Sequence, residues 1–446
     1  MKHTKLLSAL FATCILFGCM SGCSGDTEST VPSTTAPAII EEVDYAGSLV
    51  LNMTSPTAKL EAHVRTFIDG DTVHFNVQDE QFPDGILKLR FLGINTPEST
   101  GKIEQWGKKA SNFTKEKLSS AVAILVESET ATWQADSTGS RYLGWVWYKT
   151  SEDAPWRNLN VEILQEGLAI ANSSANNQYG SVCTQAINQA KALKLNVHSG
   201  EQDPDYYYGE AVELTLKELR SNIETYNGIK VAFNGVVTRD NDQTIYVEAY
   251  DAESDMYYGI SVYYGFNLTG GGLDVLRVGN EVRIVGTVQY YEAGKSWQVS
   301  GLSYNQMRPK DPDNIQKLSE GHSPAYVPTT ADKFVNGTVQ LEVAGELKTF
   351  DYAALAMSTS ISMKDLVVKE VYTTTGSTSS NGAMTLTCEV DGLTVTVRTV
   401  VIRDENNKVI TADAFLGKTI DVRGLIDCFD GEYQIKIISA KDITVH

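Results

Sequence analysis

Asp69 and Asp71 stand in "FIDGDTVHF", Arg90, Asn95, Thr96 and Glu98 in "LKLRFLGINTPE", and Arg141 opens "RYLGWVW". Acids, an amide and two guanidiniums at these spacings suit one chemistry above others. A phosphodiester carries a negative charge that repels an attacking hydroxide, and charge concentrates on its non-bridging oxygens as the pentacoordinate state forms. Its hydrolysis therefore wants a hard cation on oxygen ligands, bidentate guanidiniums on the phosphate, and a carboxylate that orients or deprotonates water. Asp71, Asn95 and the Thr96 carbonyl can supply the oxygens, Arg90 and Arg141 the clamp, and Glu98 the base. Taken singly, each has a plainer reading. "DGD" is a hairpin-turn signal, Arg90 shares a solvated strand face with Lys88, and Glu98 favours the start of the following helix.

Positioning such groups requires rigid elements, and the surrounding pattern provides them. "KLEAHVRTFIDGDTVHFNV" reads as two strands joined at "DGD", and "GILKLRFLGI" as a third with Leu87, Leu89 and Phe91 on one face. In "KIEQWGKKASNFTKEKLSS", Ile103, Trp106, Ala110, Phe113 and Leu118 recur near helical spacing. "RYLGWVWY" predicts a strand, "LNVEILQEGLA" a helix closed by Gly167, and "VCTQAINQAKALKLNV" a last helix.

At this point residues 58–200 resemble the staphylococcal nuclease (thermonuclease) family. "FIDGDTVHF", "LKLRFLGINTPE", "IEQWGKKASNFTKEKL", "RYLGWVW", "NVEILQEGLA" and "AINQAKALKLNV" fall in the family's order and at about its spacing, over roughly a third of the chain. The resemblance implies an α+β, OB-like five-stranded barrel with three helices. It further implies a calcium-dependent enzyme that cuts DNA and RNA to leave 3′-phosphates. Carried over, Asp71 and Asn95 bind Ca2+ through side chains and Thr96 through its carbonyl; Glu98 is the water-orienting or general-base carboxylate, and Arg90 and Arg141 bind phosphate. Three positions depart from the pattern. Asn95 stands where the family usually has aspartate, the tyrosine of the family's "YGR" is absent from "DSTGSR", and tyrosines usual after "GLA" are replaced in "IANSSANNQYG". Tyr179 is the candidate for part of that nucleotide-stacking role, with an ordinary surface tyrosine as the alternative.

Beyond Asp205 the pattern is mostly β and contains a repeat. "VGNEVRIVGTV" (278–288) aligns with "LGKTIDVRGLI" (416–426) at a constant offset of 138, with Gly279 over Gly417 and Gly286 over Gly424. About five strands per hundred residues with glycines at bends predict two β modules of OB type, residues 206–308 and 334–446, joined by a proline-bearing polar linker, 309–333. Tyrosine pairs at 257/258, 263/264 and 290/291 could form base-stacking platforms in the first module, although only one of each pair can face a given side.

Charge bounds the partners. The chain carries 37 Lys and Arg against 56 Asp and Glu, and its net −19 divides as −3 over residues 1–57, −2 over 58–200 and −14 over 201–446. Only the nearly neutral middle segment is a ready polyanion binder. The six histidines are scattered and no CxxC pair exists, so nothing in the sequence suggests a zinc site. Cys388 and Cys428 could pair in an exported chain.

The N-terminus predicts export. Lys2 and Lys5 precede an apolar run from Leu6 to Phe17 that is of signal-peptide length. The run ends in "LFGC", which resembles a bacterial lipoprotein box, so residues 1–18 are expected to be removed and Cys19 (or Cys23) to carry a lipid anchor in the membrane; a plain secretory signal is the alternative. Residues 19–57, Ser/Thr/Pro-rich at their start, are expected to be a tether. The whole reads as a nuclease tethered at a bacterial cell surface, acting on extracellular DNA and RNA, with an unknown partner for the C-terminal modules. The reading from another class is a nuclease-like surface binding module without catalysis.

Overall fold

The structure is a computed structural model and describes residues 42–446 except 267, 293 and 377–379. The signal segment, Cys19, Cys23 and the tether up to residue 41 lie outside the described residues. Among the described residues no helix is long and apolar enough to cross a membrane.

The first barrel is built from β1 (Lys59–Glu61), β2 (His63–Asp69), β3 (Thr72–Asn76), β4 (Ile86–Phe91), the short β5 (Ile94–Asn95), β6 (Ala123–Glu127), β7 (Gln134–Ala135), β8 (Tyr142–Lys149) and the short β9 (Arg157–Asn158) paired with β8. Its main strands run β1-β6-β8-β4-β3-β2, and β1 leads into β2 across the single residue Ala62, so the path begins and ends on one stretch of chain. Alternation in β4 is as the sequence predicts, with Leu87, Leu89 and Phe91 buried, Lys88 exposed and Arg90 half-buried. Trp145, Val146, Trp147 and Tyr148 of β8 are all buried, because β6 and β4 flank it and helices cover its outer side; each large side chain contributes roughly 1.5–3 kcal/mol by leaving water.

Helices α1 (Tyr45–Ser48), α2 (Gly107–Ser119), α3 (Leu159–Gln165) and α4 (Gly180–Leu193) pack around this barrel. The helical spacing that includes Ile103 and Trp106 overshoots the element. Trp106 takes a left-handed conformation (φ 69°), so α2 starts at Gly107 and both residues belong to the preceding loop. Asn158 caps α3 by accepting from the Val161 amide at 3.1 Å, and Asn160, fully buried, joins β4 to β8 by donating to the Leu92 and Gly144 carbonyls while accepting from the Val146 amide.

Residues 42–57, read from composition as tether, are docked. Arg157 holds both oxygens of Asp44 (2.6 and 3.0 Å), Gln165 accepts from the Tyr45 amide (2.8 Å), and Ala46 and Leu51 are buried. Ala46 and Leu51, with Tyr45 and Leu49 packed against the same core, gave it a binding face, whereas the Ser/Thr/Pro composition that suggested a tether belongs mostly to the residues before it.

The remainder forms two closed barrels of OB type. In the first, β11 (Val212–Glu213) lies beside β12 (Lys230–Asn241), followed by β13 (Thr244–Asp251), β14 (Met256–Tyr263), β15 (Glu281–Tyr291) and β16 (Ser296–Ser300); β12 pairs with both β13 and β15, which closes the sheet. The second repeats this with Ser360–Thr373 pairing both Met384–Val390 and Thr419–Phe429. The repeat aligns strand for strand, since Glu281–Tyr291 and Thr419–Phe429 are 138 residues apart at both ends. Gly286 and Gly424 have the same duty: a Cβ at either would stand 2.7 Å from a carbonyl of the neighbouring strand, Ser300 or Lys436.

One core runs through both barrels, and the stretch read as a linker is pinned between them. Gln316–Ser319 pairs with β15, Val327–Pro328 pairs with Ser360–Thr373, and buried Glu248 of β13 accepts from the Ala325 amide (2.8 Å) and from the Ser360 amide and hydroxyl (2.6 and 2.9 Å). Extended polar residues between two sheets satisfy their backbone by adding edge strands, which composition does not reveal. The cysteines among the described residues, Cys183, Cys388 and Cys428, are free, so the pairing of Cys388 with Cys428 is not made; they occupy different strands of the barrel and each faces its own neighbours.

Candidate active site

The "DGD" turn between β2 and β3 is not a solvated hairpin tip. Asp69 and Asp71 are 5% and 0% exposed, Thr114 of α2 donates to the Gly70 carbonyl at 2.5 Å, and a Cβ on Gly70 would come within 3.0 Å of Thr96 and Ala110. The turn is thereby pressed between α2 and the loop after β4. That loop is fixed from its other side by α2, where a Cβ on Gly107 would lie 2.3 Å from the Glu98 carbonyl and where the Glu104 amide donates to that same carbonyl at 2.9 Å.

These contacts bring Asp71, Arg90, Asn95 and Thr96 together. Arg90 spans the site: one guanidinium nitrogen makes a close ion pair with Asp71 Oδ1, and Nη2 donates to Asn95 Oδ1 at 2.5 Å. Asp71 Oδ2 accepts from the Thr96 amide at 2.8 Å, while the buried Thr96 hydroxyl has no hydrogen-bond partner among the described residues. Asn95 is held at this register because β5 pairs with β10 (Ile170–Ala171), Ile170 opposite Asn95. Glu98 stands exposed on the same loop.

Asp69, noted in the sequence only as part of a turn, belongs to the site. It accepts from the Ser99 hydroxyl at 2.6 Å, and its pKa is displaced well upward by burial first, then by its contact with Glu98 and the charges of Asp71 and Glu98. Burial likewise raises Asp71, against the charge of Arg90 and the Thr96 amide. Two buried acids facing a third carboxylate are an oxygen-rich site short of positive charge. The paired "D-G-D" spacing, which puts both acids at one turn, was the signal available for Asp69.

The donors suit a hard cation. Arg90 sits between the Asp71 and Asn95 oxygens as a stand-in cation, while the orphaned Thr96 hydroxyl is packed against Gly70, which leaves the Thr96 carbonyl as that residue's candidate ligand. Among the described residues no three His, Cys, Asp or Glu side chains form a metal cage on their own, so amide and threonine oxygens would have to complete the set.

Two expected members are engaged by other partners. Arg141 is engaged by Asp136, Nε at 2.8 Å and Nη2 at 2.7 Å; burial raises that acid, but hydrogen bonds from Thr138 and Arg141 hold it below its ordinary value. Arg141 still adds to a positive face with Lys88 and Arg65, where burial and these charges push His74 down to about 4. Tyr179 is not turned to a ligand. Its hydroxyl donates to buried Glu127 at 2.9 Å, its ring meets Trp145 and Trp147 edge-on at 5.0 and 5.4 Å, and burial with the Glu127 charge raises its phenol.

A family model described as staphylococcal nuclease homologue matches residues 88–199, roughly a quarter of the chain. The matched span contains Arg90, Asn95, Thr96, Glu98 and Arg141 and begins after Asp69 and Asp71. No curated protein matches the chain.

Proposed function

With a staphylococcal nuclease-type domain over residues 88–199 as its premise, we propose that this protein is a calcium-dependent nuclease that hydrolyses phosphodiester bonds of DNA and RNA, leaving 3′-phosphates. The observation that carries the reading is the guanidinium of Arg90 laid across the Asp71 and Asn95 oxygens, one loop from an exposed Glu98. Asp71, Asn95 and Thr96 would hold the ion, whose charge opposes that developing on the phosphate oxygens.

The chain's own residues supply the rest. An arriving phosphate draws Arg90 from the two oxygens onto its own non-bridging oxygens, where a planar fork binds both at once. Arg141 reaches the phosphate by giving up Asp136. Glu98 accepts a proton from the attacking water, and the bond from phosphorus to the 5′ oxygen breaks as the new one forms, the 5′ oxygen leaving as a hydroxyl with a proton from solvent. Asp69 holds the Glu98 loop through Ser99. The N-terminal lipoprotein-like box and the apolar run support export and lipid anchoring through Cys19 or Cys23, and with such an anchor the substrate would be extracellular nucleic acid at a bacterial surface.

The test is cleavage of labelled single-stranded DNA and RNA by the intact protein, with calcium and with a chelator, beside Glu98→Gln. Calcium-dependent cutting is expected, with turnover reduced roughly 100-fold or more in the variant, as for a lost general base. Cutting by the variant at the wild-type rate removes Glu98 from the mechanism. The reading as a binding module without catalysis is favoured by one observation, the occupation of Arg141 by Asp136; folded protein that binds but does not cut at millimolar calcium would establish it.

A further inference from the structure

A cleft between the nuclease barrel and the first OB barrel is left unused by the mechanism above. It encloses about 840 Å³. Its lining begins beside the candidate active site, with Ile68 and Ser99, the chain neighbours of Asp69 and Glu98. The two barrels are held around it by Gln289, which donates to the Ser99 carbonyl at 2.5 Å, and by the Lys115–Glu292 ion pair at 2.8 Å.

The opposite wall is aromatic. Tyr290 and Trp297 are cross-strand partners with ring centroids 5.0 Å apart, and Tyr291 and Tyr263 stand beside them on the same side of the cleft. Tyr290 and Tyr291 are 39% and 46% exposed, although neighbours on a flat strand would face opposite ways; they sit at the end of β15, next to the turn into β16, and both reach the cleft. Tyr263 also feels the charge of Glu98.

The polar lining selects among ligands. Acids outnumber lysines in the cleft, so it is not a track for phosphates. Several of those acids are already occupied: Asp203 accepts from the Trp106 and Asp205 amides, Glu104 pairs with Lys102, and Glu292 with Lys115. Uncharged rings with hydrogen-bonding edges suit such a surface, and amides such as Asn112 and Gln298 are present to meet them.

Resting on the nuclease reading, we infer that this cleft takes unpaired nucleobases of the substrate strand beyond the two nucleotides that flank the scissile phosphate, stacked on Tyr290, Tyr291 and Trp297, with the phosphates left toward solvent. The first OB barrel is then part of the substrate site and confers preference for single strands, because paired bases cannot open onto the rings.

The experiment uses the intact protein, Tyr291→Ala, Tyr290→Ala and Tyr291→Phe. Binding of a fluorescent twelve-nucleotide oligothymidylate is followed by anisotropy in a chelator, and kcat/KM is measured in calcium for that strand and for a dinucleotide. Each alanine variant is expected to weaken oligonucleotide binding and kcat/KM roughly tenfold, the scale of one lost base–aromatic stack, with dinucleotide cleavage unchanged and Tyr291→Phe like wild type. Equal affinity of the alanine variants and wild type overturns the inference, as does a loss that is the same for the dinucleotide. Absence of all cleavage refutes the nuclease reading alone, since the anisotropy series still decides what the cleft binds.

Discussion

Replacing Asn95 by aspartate is the sharpest probe of the cation site. Asn95 Oδ1 is 2.5 Å from Arg90 Nη2 and stands beside Asp71, so the change adds one negative charge where a divalent ion would be held. Two unit charges about 4 Å apart interact by about 4 kcal/mol at the effective dielectric typical of partly exposed sites, which doubles to about 8 kcal/mol for a divalent ion. The same charge holds Arg90 more tightly by about 4 kcal/mol, and that must be given up when the ion enters. Half-exposure of Asn95 screens what remains, leaving a net of about 1.5–3 kcal/mol, or roughly 10- to 100-fold tighter calcium binding. Isothermal calorimetry of Asn95→Asp against wild type at fixed pH and ionic strength measures this. An affinity within twofold of wild type would refute Asn95 as a ligand, and with it the view that Arg90 stands in for the ion.

Three further outcomes are expected. Asp69 and Asp71 both have folded values raised above the ordinary 3.8, so the fold favours their protonated forms; the metal-free protein loses stability as pH rises from 3.8 through the raised values, while calcium affinity rises over the same window. Melting temperatures with and without calcium from pH 3.5 to 8 check this, and a calcium increment independent of pH would contradict it. Tyr179→Phe should cost about 1–3 kcal/mol of stability by leaving Glu127 short of a donor, with KM for oligonucleotides unchanged; a raised KM at unchanged stability would return Tyr179 to the substrate site. Glu248→Ala should strip a buried acceptor from three donors between the OB barrels and cost about 2–5 kcal/mol, seen in calorimetry as early melting of both barrels together. Melting of one barrel alone would show that the shared core does not couple them.

Much of the architecture was legible because it is written in short-range pattern. Period-two alternation placed Leu87, Leu89 and Phe91 inside and left Arg90 on the other face, and the 138-residue repeat mapped strand onto strand down to the duty of Gly286 and Gly424. The residue types around Asp71, Arg90, Asn95, Thr96 and Glu98 named a chemistry before any geometry. What the chain's order could not express was choice of partner. Arg141 could have faced a phosphate or Asp136, Tyr179 a base or Glu127, residues 42–57 solvent or α3, and each choice depends on groups brought near by the closed barrels. Asp69 joined the site, and Tyr290 and Trp297 came to face the Glu98 loop, through contacts between residues 30 to 190 positions apart. Local preference decides which elements form; the burial of charge and ring surface between them decides which side chains remain free to act.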